Sequence, residues 1–130
     1  MNPDDCREYI AYRMDRARET LREAQELQSS GHYFGSANRI YYAMFYAVNA
    51  LALSHGFTTS SHSQLRGYFN RQFVKTGTVP LAMGKAFGAA YDCRTKSDYQ
   101  DMVEIPEEQV NDLLASAVVF IDFISHLVEE

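Results

Sequence analysis

Residues 34–56 read FGSANRIYYAMFYAVNALALSHG, and this stretch decides the fold class. Phe34, Ala37, Tyr41, Met44, Val48 and Leu51 recur about every 3.5 residues, the period that returns side chains to one face of an α-helix. Ile40, Ala43, Phe45, Ala47, Ala50 and Leu53 fill most of the remaining circumference. A helix that is apolar nearly all round must be enclosed by others. Its one polar stripe is narrow: Arg39, Tyr42, Tyr46 and Asn49, spaced by three and four. Gly56 ends it.

The flanking sequence supplies the enclosing helices. Upstream, Asn2-Pro3-Asp4-Asp5 combines a cap candidate, a proline at the first helical position and acids in the opening turn. Ile10, Met14, Ala17, Leu21 and Ala24 follow as an apolar face, Arg13, Arg16, Glu19, Glu23 and Glu26 read as a solvated one, and Gly31 stops the helix. Downstream, Ser61-His62-Ser63-Gln64 has the form of a capping box ahead of Leu65, Phe69 and Phe73, in a helix that reads as far as Gly77. A fourth helix opens near Thr78 with Pro80 in its first turn, carries Met83, Phe87 and Ala90, and is expected to end between Arg94 and Lys96. Gly84 and Gly88 leave it a smooth face for close packing. After a polar loop, Thr95 to Glu104, a fifth begins at Pro106-Glu107-Glu108 and buries Val110, Leu114, Ala117, Ile121, Ile124 and Val128. No segment alternates with period two. The expected fold class is all-α, one helical domain over residues 1–130.

Composition narrows the function classes. The chain has 130 residues, 46% of them hydrophobic and only three proline, which fits a packed domain. Cys6 and Cys93 form no CxxC and read as thiols of a reducing compartment. No basic-then-apolar leader opens the chain, and the run from Ile40 to Leu53 is too short to span a bilayer, so a cytoplasmic protein with no membrane role is expected. Phosphate-loop and dinucleotide glycine motifs are absent, no His follows a Glu by three, and no His–Cys cluster has zinc spacing, so neither cofactor nor metal is expected. A nucleophile at Ser61-His62-Ser63 is disfavoured because adjacent residues on a helix do not face one another.

Charge is unevenly distributed. The formal net charge is −5, yet residues 27–91 hold no Asp or Glu and carry Arg39, Arg66, Arg71, Lys75 and Lys85. Residues 92–130 hold ten acids and two bases. Such a map fits an anion-binding face, or basic middle helices lying beside an acidic last one.

Three stretches in order, ANRIYYAMFYAVNALALSHG at 37–56, SHSQLRGYFNRQFVKTG at 61–77 and YDCRTKSDY at 91–99, closely resemble small stand-alone HEPN-domain proteins of prokaryotes. The resemblance covers about residues 8–128. It implies a mostly antiparallel bundle of about five helices that forms a homodimer. It also implies a minimal nucleotidyltransferase as partner, in a toxin–antitoxin or stress-response pair. Many proteins of this superfamily are metal-independent ribonucleases that use an arginine followed, after four to six residues, by a histidine at the dimer seam. The arginine forks a phosphate while the histidine moves a proton. Arg94 matches the arginine, but Tyr99, Gln100 and Asp101 stand where the histidine belongs. Tyrosine, with an unperturbed pKa of about 10, is a poor proton shuttle near neutrality. The sequence offers Arg94–Asp98–Tyr99 instead.

Each candidate admits two readings. Arg94 pairs with Asp98 at a helix end, or converges with Arg39 on the phosphate of RNA or a nucleotide while Tyr99 stacks on a base. His62 caps its own helix or packs locally, or acts as acid or base. Tyr42 and Tyr46 form a core or dimer surface, or a stacking platform. Three functions follow: a binding and regulatory module built on Arg39, Tyr42, Arg94, Asp98 and Tyr99; a ribonuclease with catalytic Arg94 and His62; and a structural protein. The deciding geometry is whether Arg39 and Arg94 share a site or are each neutralised by an acid.

Overall fold

The computed structural model describes residues 2–99 and 104–129, apart from the side chains at 97 and 99. Among the described residues every regular element is helical: α1 (Pro3–Ser29), α2 (Tyr33–Ser54), α3 (His62–Phe69), α4 (Leu81–Tyr99) and α5 (Glu107–Val128). A single π-helical turn, Asn70–Val74, continues α3. Five helices and no strand are what the 3.6-residue periodicity predicts.

The ends form as their residues dictate. Asn2 Oδ1 accepts from Asp5 N–H at 2.9 Å and opens α1. Gly31, at φ 78°, turns the chain into α2. Ser61 Oγ accepts from Gln64 N–H at 3.2 Å, but the return half of the box is missing because Gln64 Oε1 is taken by the Thr59 hydroxyl. Two boundaries differ from expectation. The turn Asn70–Val74 carries an i→i+5 bond, Lys75 N–H to Asn70 C=O at 2.8 Å, where unbroken α-helix was expected. Helix α4 also runs on past Lys96 to Tyr99, so Arg94 and Asp98 lie one turn apart at the end of a formed helix.

Helix α2 is the axis, touching each of the other four. Its pairings with α1 fix the direction: Arg13 reaches Asn49, Arg16 reaches Tyr46, and Ser36 Oγ donates to the Ala24 carbonyl at 2.8 Å. Residue numbers rise along one helix as they fall along the other, so the two are antiparallel and in register. Helices α1 and α5 pair likewise, through Arg18 with Glu129 and Gln28 with Asn111. Twelve residues of α2 are buried, half of them alanine or serine, and alanines at 37, 43, 47, 50 and 52 let neighbouring helices close on it. The large rings gather where α3 and α4 meet α5: Phe69, Phe87 and Phe120 are fully buried, with Phe120 stacked on Phe87 at 5.8 Å.

Helix α5 is long and apolar enough to cross a membrane by composition alone. Val110, Leu113, Ala117, Phe120, Ile121 and Ile124 face the protein core, which accounts for part of that hydropathy, while Val118 and Val119 are exposed. No disulfide joins Cys6 to Cys93.

Candidate functional site

The polar stripe of α2 is covered by cations along its whole length. Arg13 Nη1 donates to Asn49 Oδ1 at 3.0 Å, Arg16 Nη2 to Tyr46 Oη at 3.2 Å, and Arg94 Nη2 to Tyr42 Oη at 3.2 Å. Arg16 also lies over the Tyr46 ring, 5.1 Å from its centroid. The reading of Arg13 and Arg16 as part of a solvated face is thereby corrected. Both stand at the edge of α1, and arginine stems are long enough to lay their heads on the neighbouring helix.

At the far end of the stripe the two arginines singled out from the sequence do meet. The Arg39 guanidinium carbon lies 5.2 Å from the Tyr42 ring centroid and that of Arg94 lies 5.3 Å from the same centroid. The two guanidinium carbons are therefore no more than about 10.5 Å apart. Arg94 also sits 5.5 Å from the Tyr41 ring. Each such cation–ring contact stabilises by roughly 0.5–2 kcal/mol, more as water is excluded. Neither arginine is without a carboxylate, however. Arg94 Nε is 2.9 Å from Asp98 Oδ2, an ion pair without an aligned hydrogen bond, and the Arg94 side chain is only 15% exposed. Arg39 is bound by its neighbour Asn38, which accepts from Nε and Nη2, while Glu23 stands 3.9 Å away. The forks share a site, and each is partly neutralised.

His62 belongs to the same cluster, although α3 presents it from a different side. Ser61, not His62, caps the helix. The imidazole stacks on Phe45 at 4.4 Å, meets Tyr42 edge-on at 5.9 Å, and shares a 2.7 Å hydrogen bond between Nδ1 and Tyr41 Oη. Burial, and then the Arg94 charge, hold its pKa below the usual 6.5, so the ring is neutral near pH 7. Tyr41 is 1% exposed, and burial drives its phenol far above the normal range, so its hydroxyl stays protonated. Tyr41 is thus the keystone: Phe87 stacks on it, Tyr91 and Tyr42 meet it edge-on, and His62 Nδ1 shares a hydrogen bond with its hydroxyl.

Arg39, Tyr42, Arg94, Asp98 and His62 are therefore brought to one place. The Tyr99 side chain lies outside the described residues, as do Gln100 and Asp101. Sequence reasoning passed over Tyr41 as a site residue because its position on the apolar face of α2 gave no sign of a polar partner. No group of three His, Cys, Asp or Glu side chains clusters among the described residues in a way that could hold a metal ion.

Comparison with known proteins places this arrangement in a family. The HEPN domain model matches residues 10–127. A "UPF0332 protein" of Thermotoga maritima is 42% identical over 121 residues, 93% of this chain and 92% of its own. A protein of Methanocaldococcus jannaschii named "Putative toxin MJ0142" is 30% identical over 109 residues, covering 84% of this chain and 74% of its own. Among solved structures, TT1696 from Thermus thermophilus superposes with a TM-score of 0.73 over 97% of this chain and 98% of its own, at 20% identity, which speaks to the fold alone. Both the shared bundle and the match along nearly the whole sequence lead to one conclusion: the chain belongs to the HEPN domain family.

Proposed function

We propose that the protein is a toxin-type HEPN module that acts as a homodimer and grips RNA through its phosphates at the Arg39–Tyr42–Arg94 cluster. The observation that carries the reading is the pair of guanidinium groups on one tyrosine ring. Two cations held by an aromatic spacer present donors to neighbouring phosphates or to two oxygens of one, and arginine forks suit that geometry. The names of the M. jannaschii relatives support a toxin role, and in such a pair a minimal nucleotidyltransferase is the proposed partner. Anisotropy titration of a labelled short oligouridylate tests the grip. Arg94→Ala and Arg39→Ala should each weaken binding about tenfold and flatten its salt dependence. Unchanged affinity at every salt concentration removes the proposal, and a monomer by light scattering at micromolar concentration removes its dimeric form.

A second reading is favoured by one specific feature, the neutral His62 beside Arg94. If Nδ1–H donates to Tyr41 Oη, Nε2 is left bare and can accept the proton of a 2′-hydroxyl while Arg94 holds the adjacent phosphate. This predicts RNA cleavage that survives EDTA and is lost in both Arg94→Ala and His62→Ala. RNA left intact by a clean preparation excludes it.

A further inference from the structure

A second cationic feature lies outside the cluster. Between the α3–π-turn segment and α4 runs a cleft of about 870 Å³, lined by Arg66, Arg71 and Lys75 on one wall and by Lys85, Gly84 and Gly88 on the other. These four cations are all those of residues 27–91 apart from Arg39. Among the described residues none of the four has a carboxylate within 4.0 Å. Asp92, at one end, is the single acid on the lining. Like charges gathered without counterions on the walls of a cleft raise its positive potential and draw polyanions to it.

Two backbone features build the wall. Nine residues separate Arg66 from Lys75, about two and a half turns at about 3.6 residues per turn, which would place them on opposite faces of an unbroken α-helix. The wider turn at Asn70–Val74 takes up about one residue of that excess and swings Lys75 toward the side that Arg66 and Arg71 line. On α4 the two glycines let that wall approach. A Cβ at Gly88 would stand 2.7 Å from Arg66 Nη2, and one at Gly84 2.9 Å from Val74 Cγ1. The Arg66 guanidinium consequently lies along the α4 backbone and 5.4 Å from the Tyr91 ring centroid. Tyr91 in turn packs on Tyr41, which Arg94 covers. Ring contacts thus link Arg66 to Arg94 through Tyr91 and the buried Tyr41, and Asp92, two residues before Arg94 on α4, is the one acid on the lining between them.

We infer that this cleft is a track for the phosphate backbone of single-stranded RNA, leading the strand toward Arg94. The inference rests on the RNA reading above and adds a separate site with its own residues. Cations on both walls along an open channel suit a chain of repeated charges, and a strand held there would neutralise them by counterion release.

The test uses the same labelled oligouridylate, titrated by anisotropy across a salt series. The double variant Lys75→Ala/Lys85→Ala should bind about tenfold more weakly. Its plot of log affinity against log salt should be shallower by about 1.4, at about 0.7 for each phosphate that is no longer neutralised. Gly88→Ala removes no charge but displaces Arg66, and should weaken binding several-fold; circular dichroism shows whether it has folded, and the lysine pair keeps the test decisive if it has not. Unchanged affinity and slope in the lysine variant overturn the inference. So does a labelled polyglutamate that binds more tightly than the RNA and is lost in the same variant, because the cleft would then serve an acidic protein segment. The two proposals separate cleanly. If Arg94→Ala is silent and the lysine variant weakened, the track stands and the grip at Arg94 falls; the reverse pattern sinks the track alone.

Discussion

Replacing Asp98 by asparagine should tighten RNA binding while leaving the fold nearly as stable as before. Asp98 holds its carboxylate 2.9 Å from Arg94 Nε, on the inner side of the fork. A phosphate on the outer nitrogens would lie roughly 6 Å from that carboxylate, a repulsion of about 0.7 kcal/mol in water and about 3 kcal/mol at an effective dielectric constant of 20. With the two side chains only 15% and 32% exposed, solvent screening is partial, and a gain of about 1 kcal/mol on removing the charge lies between those two limits. That corresponds to roughly fivefold in affinity. The stability terms nearly cancel. An i,i+4 pair contributes about 0.3–0.5 kcal/mol at best, and less with the cation N-terminal to the anion. A carboxylate in the last turn of a helix faces the negative end of the macrodipole, at a cost of about 0.3–1 kcal/mol. Asparagine keeps an acceptor beside Nε, and Arg94 retains the Tyr42 hydroxyl and two rings. Anisotropy with the labelled oligouridylate, paired with a thermal melt, reads both quantities. Affinity that is unchanged or weaker in a variant that melts normally would refute the reasoning, because Asp98 would then not be opposing a phosphate at Arg94.

The pH dependence of stability should carry a signature of His62. Its folded pKa lies below 6.5, so on acidification the unfolded chain takes up the proton first and stability falls as pH drops below about 6.5, by at most about 1.4 kcal/mol per pH unit. Urea melts of His62→Gln should lose that segment of the slope, and a variant with the original slope would contradict the assignment. Phe120→Ala should cost about 3–5 kcal/mol, since the ring is fully buried against Phe69 and Phe87. A loss under about 1 kcal/mol by urea denaturation would mean that the three rings do not form the tight packing described.

The helices were legible because burial leaves a period in the residues, and α2 was legible as the axis because it is apolar on nearly every side. The π turn was not, since its only mark is one hydrogen bond from Lys75 to Asn70, and no residue type is reserved for it. The last turn of α4 was missed for a related reason. Thr95 to Tyr99 is polar and reads as loop, but local polarity says little about a helix already propagating from a buried start. At the site, Arg39, Tyr42 and Arg94 could be named in advance, Arg94 because a motif pointed to it. Their meeting on one ring could not, because it depends on how α4 lies across α2. Arg13 and Arg16 show the same limit. Helical position set them at the edge of a solvated face, and only the antiparallel register of α1 on α2 puts them opposite Asn49 and Tyr46.

The charge map can now be argued in three dimensions. The cations of the acid-free stretch divide into two basins: Arg39, joined by Arg94, on the Tyr42 ring, and Arg66, Arg71, Lys75 and Lys85 along the cleft. Among the described residues, carboxylates reach the first basin from Glu23 on α1 and Asp98 in the last turn of α4, and the second through Asp92. Had the acidic carboxyl-terminal segment simply neutralised the basic middle, its acids would be paired with these cations. Instead Glu129 of the tail pairs with Arg18 on α1, and Asp122 lies beside His126 on its own helix. Glu129 is thus directed toward α1 and Asp122 along α5, while Glu23 and Asp98 offset the two arginines of the first basin, so it is the cleft that stays electropositive in a protein whose net charge is negative. A long-range attraction for polyanions in spite of that net charge is the consequence, and it should decay with ionic strength over a Debye length of about 10 Å at 0.1 M salt.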